Sequence, residues 1–217
     1  MGLFLVLILS YLAGSFPTSI IVARLVKNID IREHGSGNAG MSNVVRVVGW
    51  KPGLVVGTVD IFKGWLAAGV IAAWSLGDLV ISDFGIVQIM AGFSAVLGHT
   101  FTIFGGFRGG KGVATLAGVL LALYPVAIPI CALVFSLVFM RWGYVSASSM
   151  SASITLPIAV ALIPLLGFAK AEPSLTIFSL FVPLFIITTH RSNIQRLKSG
   201  TEKKFEEVMI LKSRRRR

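Results

Sequence analysis

An all-α, polytopic integral membrane fold is predicted by three features of the chain. Hydrophobic residues fill 55% of the 217 positions and charged residues only 13%, with a mean hydropathy of +0.85. No soluble domain of this size needs so much apolar sequence. The apolar residues gather into runs of about 20, the length an α-helix needs to cross the hydrocarbon layer. The cations fall in the breaks between those runs, so the formal net charge of +11 reads as a positive-inside pattern rather than a nucleic-acid surface. Membrane lipids are expected partners and nucleic acid is not.

The first run, Gly2–Val26, has no basic leader and no obvious small-residue cleavage site, which makes it a retained span and not a signal peptide. The remaining runs are Pro52–Trp74, Phe84–Phe104, Val113–Met140, Val145–Gly167 and Pro173–Thr189. Trp50, Trp74 and Trp142 stand at run ends, where an amphipathic ring suits the interface. Cys131 is alone inside an apolar run, so neither a disulfide framework nor a metal cluster is expected.

Orientation follows from the breaks. Segment 27–51 carries Lys27, Arg32, Arg46 and Lys51, and segment 105–112 carries Arg108 and Lys111. Arg141 follows the next run, and ten of the chain's 20 cations lie from Arg191 onward. By contrast, segment 75–83 holds Asp78 and Asp83, and segment 168–172 holds Lys170 and Glu172. Placing every basic break in the cytoplasm puts the N-terminus outside and the C-terminus inside. Arg108 and Arg141 then share a side only if Val113–Met140 crosses an even number of times. Tyr124-Pro125 near its middle, and Pro129 beyond, disfavour one straight helix. Split in two, the run brings the total to about seven transmembrane helices. They form a single domain over residues 1–217, with a basic cytoplasmic tail at about 198–217. Each half reaches only roughly 18–24 Å at 1.5 Å per residue, short of the hydrocarbon core. Six spans with Arg141 outside is the alternative.

Three polar clusters interrupt this apolar chain. Phe107-Arg108-Gly109-Gly110-Lys111-Gly112-Val113-Ala114-Thr115 combines glycines, whose N–H groups can curl inward, with one cation. That is the chemistry of a phosphate cradle, stronger if a helix begins at Val113. From Gly105 the spacing is nearly that of a nucleotide P-loop, but Gly112 stands where Ser or Thr would hold magnesium, and the flanks are apolar spans. The ATPase reading fails and the phosphate reading stands. Thr115, four residues after Lys111, would share its face on a helix begun at the turn.

The second cluster, Gly35-Ser36-Gly37-Asn38-Ala39-Gly40-Met41-Ser42-Asn43-Val44-Val45-Arg46, spells GxGxxG, with Asp60 twenty residues beyond. No strand precedes it and Asp60 lies in an apolar run, so the dinucleotide reading fails too. Ser36, Asn38, Ser42, Asn43 and Arg46 supply hydroxyls, amides and a guanidinium suited to phosphate or a polyol. The third, Thr189-His190-Arg191-Ser192-Asn193-Ile194-Gln195-Arg196, sets His190 and Asn193 three apart, on one helical face.

Asp60 and Lys63, also three apart, form an intramembrane ionisable pair; either they neutralise one another, or Lys63 faces a phosphate with Asp60 fixing it. His99 is read either as an interfacial residue bonded to backbone or as part of the neighbouring turn's chemistry. Most of Ser146, Ser148, Ser149 and Ser151 suit close helix packing. Lys203–Lys212 alternates charge with apolar residues, compatible with an interfacial helix, and Arg214–Arg217 suits anionic headgroups. All three clusters fall on one side by the charge argument, which points to one cytoplasmic anion-binding site.

These residues resemble the bacterial acyl-phosphate:glycerol-3-phosphate acyltransferases of the PlsY type. Gly35 through Gly49 is similar to the family's GSGNxGxTNxLRxxG, with Ser42 for its Thr and Val45 for its Leu. Gly98 through Thr115 is similar to GHxFPxF followed by GGKGVAT, with Thr102 where the family has Pro. His190 through Arg196, with Gly200 and Glu202, is similar to the third motif. The resemblance implies a seven-span enzyme of the bacterial inner membrane with its site on the cytoplasmic face. It implies transfer of a fatty acyl group from acyl-phosphate to the sn-1 hydroxyl of glycerol-3-phosphate, giving lysophosphatidic acid and inorganic phosphate. It also implies that Ser36, Arg46, Lys111, His190 and Asn193 serve catalysis and that the glycine turn binds glycerol-phosphate.

That chemistry fits the residues. Acyl-phosphate is already activated, and two phosphate-bearing substrates account for several cations and anion cradles; no metal or other cofactor is expected. Lys111, Arg46 and Lys63 would hold phosphates as the carbonyl is attacked. Gly37, Asn38, Asn43, Gly109, Gly110, Gly112 and Thr115 complete the expected substrate-binding set. Ser36 and Asn193 would orient substrate, and His190 is either general base or phosphate ligand. A substrate phosphate could itself take the proton. The His-x4-Asp pattern of acyl-thioester enzymes is missing, since Ala39, Phe104 and Gln195 stand five beyond His34, His99 and His190. A transporter of a phosphorylated small molecule, using Asp60 and Lys63 between broken helices, is the alternative function.

Overall fold

The computed structural model describes residues 2–75, 83–170, 172–206 and 209. Every regular element among them is helical. They fall into two compact units, Met1–Pro125 and Val126–Arg217.

The first unit opens with α1 (Leu3–Ser15) and α2 (Thr18–Lys27). The sequence predicts one helix over Gly2–Val26, and the structure breaks it at Phe16–Pro17. Pro17 has no N–H to continue the ladder and pushes Phe16 out of helical geometry. Together the two halves still make a 25-residue apolar span. Asn28 ends α2 in the left-handed region at φ 54°, and the short α3 (Met41–Val47) follows the first polar loop.

α4 (Trp50–Trp65) continues through a π-helical stretch, Leu66–Ile71, and a 3-10 turn, Ala72–Ser75. The wider π turn loosens a carbonyl from the regular ladder, and Gln88 Nε2 donates to Ala68 O at 3.0 Å. α5 (Phe84–Thr100) carries Gln88 and is capped by Asp83, whose carboxylate accepts from Gly85 N at 2.8 Å. α6 (Val113–Leu123) ends at Tyr124-Pro125. The predicted split of Val113–Met140 is therefore present.

Backbones in this unit pack very closely. A side-chain carbon on Gly64 would overlap Thr115 O, and one on Gly118 would overlap Ile61 O, so α4 and α6 touch at main-chain distance. Gly14 against Ala95 and Gly98 against Tyr11 do the same for α1 and α5. In lipid, where burying apolar side chains gains little, such small-residue seams supply much of the helix association.

The second unit consists of α7 (Ile128–Trp142), α8 (Val145–Leu165), α9 (Pro173–Thr189) and α10 (Arg191–Lys198). α7 buries none of its side chains within the chain, with Leu133 59% and Leu137 53% exposed, as a lipid-facing helix should. α9 and α10 meet at a 61° bend. Trp50 and Trp142 are exposed at helix ends beside Lys51 and Arg141, each cation within 6 Å of a ring centre (5.7 and 5.4 Å), as interfacial anchors require.

Among the described residues, five helical stretches are long and apolar enough to cross a membrane, or six with the bent α9–α10 pair; α6 is apolar but only 11 residues long. The chain is thus a multi-pass helical membrane protein. The described part of the tail, residues 201–206, is mostly irregular and not an interfacial helix. Asp78, Arg214–Arg217 and half of Lys203–Lys212 (residues 207, 208 and 210–212) lie outside the described residues.

Candidate active site

In the first unit the loop between α2 and α3 is built by its own polar residues. Asp30 caps a 3-10 turn at Ile31–Glu33 and pairs with Arg32 at 2.7 Å. The Arg32 guanidinium holds the Asp30 carboxyl down at about 2, and Arg32 Nη1 also donates to Gly105 O at 2.6 Å. This cation therefore ties the first polar loop to the start of the glycine turn, a link the spacing of residues gave no means of finding.

Asn43 is completely buried. Its Oδ1 accepts from Ser36 N at 2.8 Å, and its Nδ2 donates to Ile31 O at 3.0 Å and His34 O at 2.9 Å. Expected among the substrate ligands, it instead spends both donors on bracing the backbone that presents Ser36. Gly35 must be glycine here: its φ is +63° and a side-chain carbon would strike Asn43 Oδ1. Ser36 and Asn38 are half-buried, Gly37 is exposed, and Arg46 is half-buried in the last turn of α3.

The glycine turn lies between α5 and α6. Gly109 N donates to Thr100 O at 3.0 Å and Gly110 N to His99 O at 3.1 Å. Gly112, at φ 83°, is the residue before α6, so Lys111 stands immediately ahead of a helix N-terminus whose first N–H groups have no intrahelical partner. The predicted helix start at Val113 is realised, but Lys111 is outside the helix. The expectation that Thr115 shares its face is corrected: Thr115 is completely buried in the α4–α6 contact, its hydroxyl without a hydrogen-bond partner.

Asp60 and Lys63 do share a face, 2.8 Å apart, with side chains 2% and 6% exposed. Lys63 Nζ also donates to Phe16 O at 3.3 Å, at the break in the first span. His99 is buried, with Nδ1 3.5 Å from Asp60 Oδ1. Asp60, Lys63, His99, Gly109 and Gly110 line one small cavity together with Phe16–Ile20 and Ala39. Lys63 and the two glycines of the turn are thereby brought together.

In the second unit, His190 and Asn193 are buried at the α9–α10 bend. His190 Nδ1 lies 2.7 Å from Ile186 O, a carbonyl of the preceding turn, and 3.4 Å from Thr189 Oγ1. Glu202 gathers three donors: Asn193 Nδ2 at 2.6 Å, Arg196 Nε at 2.7 Å and Ser146 Oγ at 2.8 Å. Burial pushes this carboxyl up, but the bonds from Asn193, Arg196 and Ser146 outweigh it and hold it below its ordinary value. Ser146, expected to serve close packing, is instead a ligand of Glu202, while Ser148 and Ser149 bond the carbonyls four residues back. Among the described residues no group of three His, Cys, Asp or Glu side chains has metal-site spacing.

Residues 4–200 match the glycerol-3-phosphate acyltransferase family model. The glycerol-3-phosphate acyltransferase of Pelodictyon phaeoclathratiforme is 41% identical over 91% of this chain and 94% of its own length. That of Salinibacter ruber is 43% identical over 93% and 91%. Among solved structures, PlsY (YgiH), an integral membrane glycerol 3-phosphate acyltransferase, superposes in its glycerol 3-phosphate form with a TM-score of 0.78 at 33% identity. Its lysophosphatidic acid form gives 0.77 at 35%; both alignments cover 94% of this chain and 95% of PlsY. With the family model and relatives alike spanning nearly the whole length, the chain belongs to the glycerol-3-phosphate acyltransferase family.

Proposed function

We propose that the chain transfers a fatty acyl group from acyl-phosphate to the sn-1 hydroxyl of glycerol-3-phosphate, releasing lysophosphatidic acid and inorganic phosphate as the first step of phospholipid synthesis. The observation that carries this reading is Lys111 at the mouth of α6, just ahead of backbone N–H groups that have no intrahelical partner. Family membership supports it, and so do the two forms of PlsY, named for an acceptor and a product of this reaction.

Lys111 and Arg46 hold phosphate; Gly109 and Gly110, whose N–H groups are bonded to Thr100 O and His99 O, shape the turn that leads through Gly112 to the N-terminus of α6. Lys63, two of whose three donors go to Asp60 and Phe16, offers the third. These cations lower the barrier by stabilising charge that builds on the carbonyl oxygen and the departing phosphate. Ser36, presented by the Asn43-braced loop, orients substrate with Gly37 and Asn38, and Asn193 does so from the α9–α10 bend. Asn43 and Thr115 act by shaping the scaffold. The acyl–oxygen bond to phosphate breaks as the bond to the sn-1 oxygen forms; the hydroxyl proton passes to His190 or to the departing phosphate.

The fold reading is a single acyltransferase domain of seven spans in the bacterial inner membrane. Its N-terminus is outside, its C-terminus inside, and α6 and α7 are two separate crossings. The basic breaks at 27–51, 105–112 and beyond Arg191 support that orientation. Purified protein given labelled glycerol-3-phosphate without magnesium tests the reaction. Lysophosphatidic acid should form with acyl-phosphate and at least 100-fold less with acyl-CoA. The reverse preference overturns the donor assignment. Accumulation of labelled substrate in proteoliposomes without product would establish a transporter instead.

A further inference from the structure

Asp60 sits where four pieces of the first unit converge. Its Oδ1 accepts from Lys63 Nζ at 2.8 Å on its own helix and lies 3.5 Å from both Thr18 Oγ1 and His99 Nδ1. Lys63 carries the connection to the Phe16 carbonyl, at the break in the first span. His99 carries it to the glycine turn by two routes. Its backbone carbonyl and that of Thr100 accept from Gly110 N and Gly109 N. Its ring also supports the turn directly, for a side-chain carbon on Gly110 would overlap His99 Nε2.

A pair that merely neutralised itself would not account for the other carboxylate oxygen. Oδ2 is buried with no hydrogen-bond partner, and leaving an acceptor unsatisfied away from water costs stability. An amide or an apolar pair could fasten α4 to its neighbours without that cost. What they could not supply is one charged oxygen that fixes the Lys63 ammonium and the orientation of the His99 ring together. We infer that Asp60 is a positioning residue for the acyl transfer. Through His99 it holds the Gly109–Gly110 turn in the shape that binds glycerol-phosphate, and through Lys63 it locks that turn's neighbour, the Phe16–Pro17 break. The function assigned to the turn rests on the reaction proposed above; the mechanical link does not.

Two variants separate positioning from stability. Asp60→Asn combined with Lys63→Gln removes both buried charges, so no unpaired ion is left inside. His99→Gln keeps the charge pair and removes the ring beneath Gly110. Hydrogen exchange of the detergent-solubilised full chain reads the turn directly. In both variants the amides of Gly109 and Gly110 should exchange at least tenfold faster than in the parent, while those of α10 stay unchanged. The KM for glycerol-3-phosphate should rise at least tenfold, with a smaller change in kcat. Parent-like exchange at Gly109 and Gly110 in His99→Gln overturns the inference, whatever the double variant does. So does a double variant that binds glycerol-3-phosphate like the parent. If the parent itself made no lysophosphatidic acid, the proposed reaction would fall while the exchange data still decided the anchoring.

Discussion

In the proposed reaction, single side chains divide into those that meet substrate and those that hold such groups still. Lys111 is proposed to be of the first kind. Lys111→Ala should lower kcat/KM on the order of 100-fold or more, the effect of losing one preorganised charge stabiliser. Helical content by circular dichroism should be unchanged. Glu202 belongs to the second kind. Because its folded pKa is depressed, the stability it contributes is full above its ordinary value of 4.5 and is lost as pH falls through the lower folded value. Asp30 behaves alike, losing its contribution between 3.8 and about 2. Melting temperature in detergent should therefore fall with pH below about 4.5, and Glu202→Gln should flatten the upper part of that decline. Lys111, His190 and Asn193 are proposed on their residue types, which carry anion and proton chemistry and are readable in the sequence. The bracing role of Asn43 is not readable there, since an asparagine beside Ser36 looks the same whether it faces substrate or backbone.

At the scale of elements, the apolar runs located nearly every helix, and Pro125 located the α6–α7 division. Pro17 carried the same signal for the first span, but the run around it has the length of one crossing and reads as one helix. The seam between α4 and α6 depends on Gly64 and Gly118 having no side chains. Gly118→Ala should destabilise the protein by about 1–3 kcal/mol, the usual cost of overpacking, seen as a lower melting temperature in detergent. Because Thr115, Lys63 and Asp60 ride on these two helices, the same variant should also weaken binding of glycerol-3-phosphate.

For the whole molecule, the topology makes a direct prediction. In a Cys131→Ser background, a cysteine at Lys170 should react with a membrane-impermeant maleimide added to intact cells, and one at Ser199 only after the membrane is opened. Labelling of both from outside would overturn the assignment of an exterior N-terminus and interior C-terminus.

The chain's membrane class, the order of its spans and its family were determined by the sequence alone. Hydropathy, charge placement and short glycine-rich motifs are local, and local patterns survive being read one residue at a time. What the tertiary structure decided is which polar atoms are spent on one another. Arg32 reaching Gly105, Asn193 held by Glu202, and His99 set 3.5 Å from Asp60 all join residues far apart in the chain or committed to unforeseen partners. A buried polar group must find a partner wherever the fold brings one, and no spacing in the sequence records where that is.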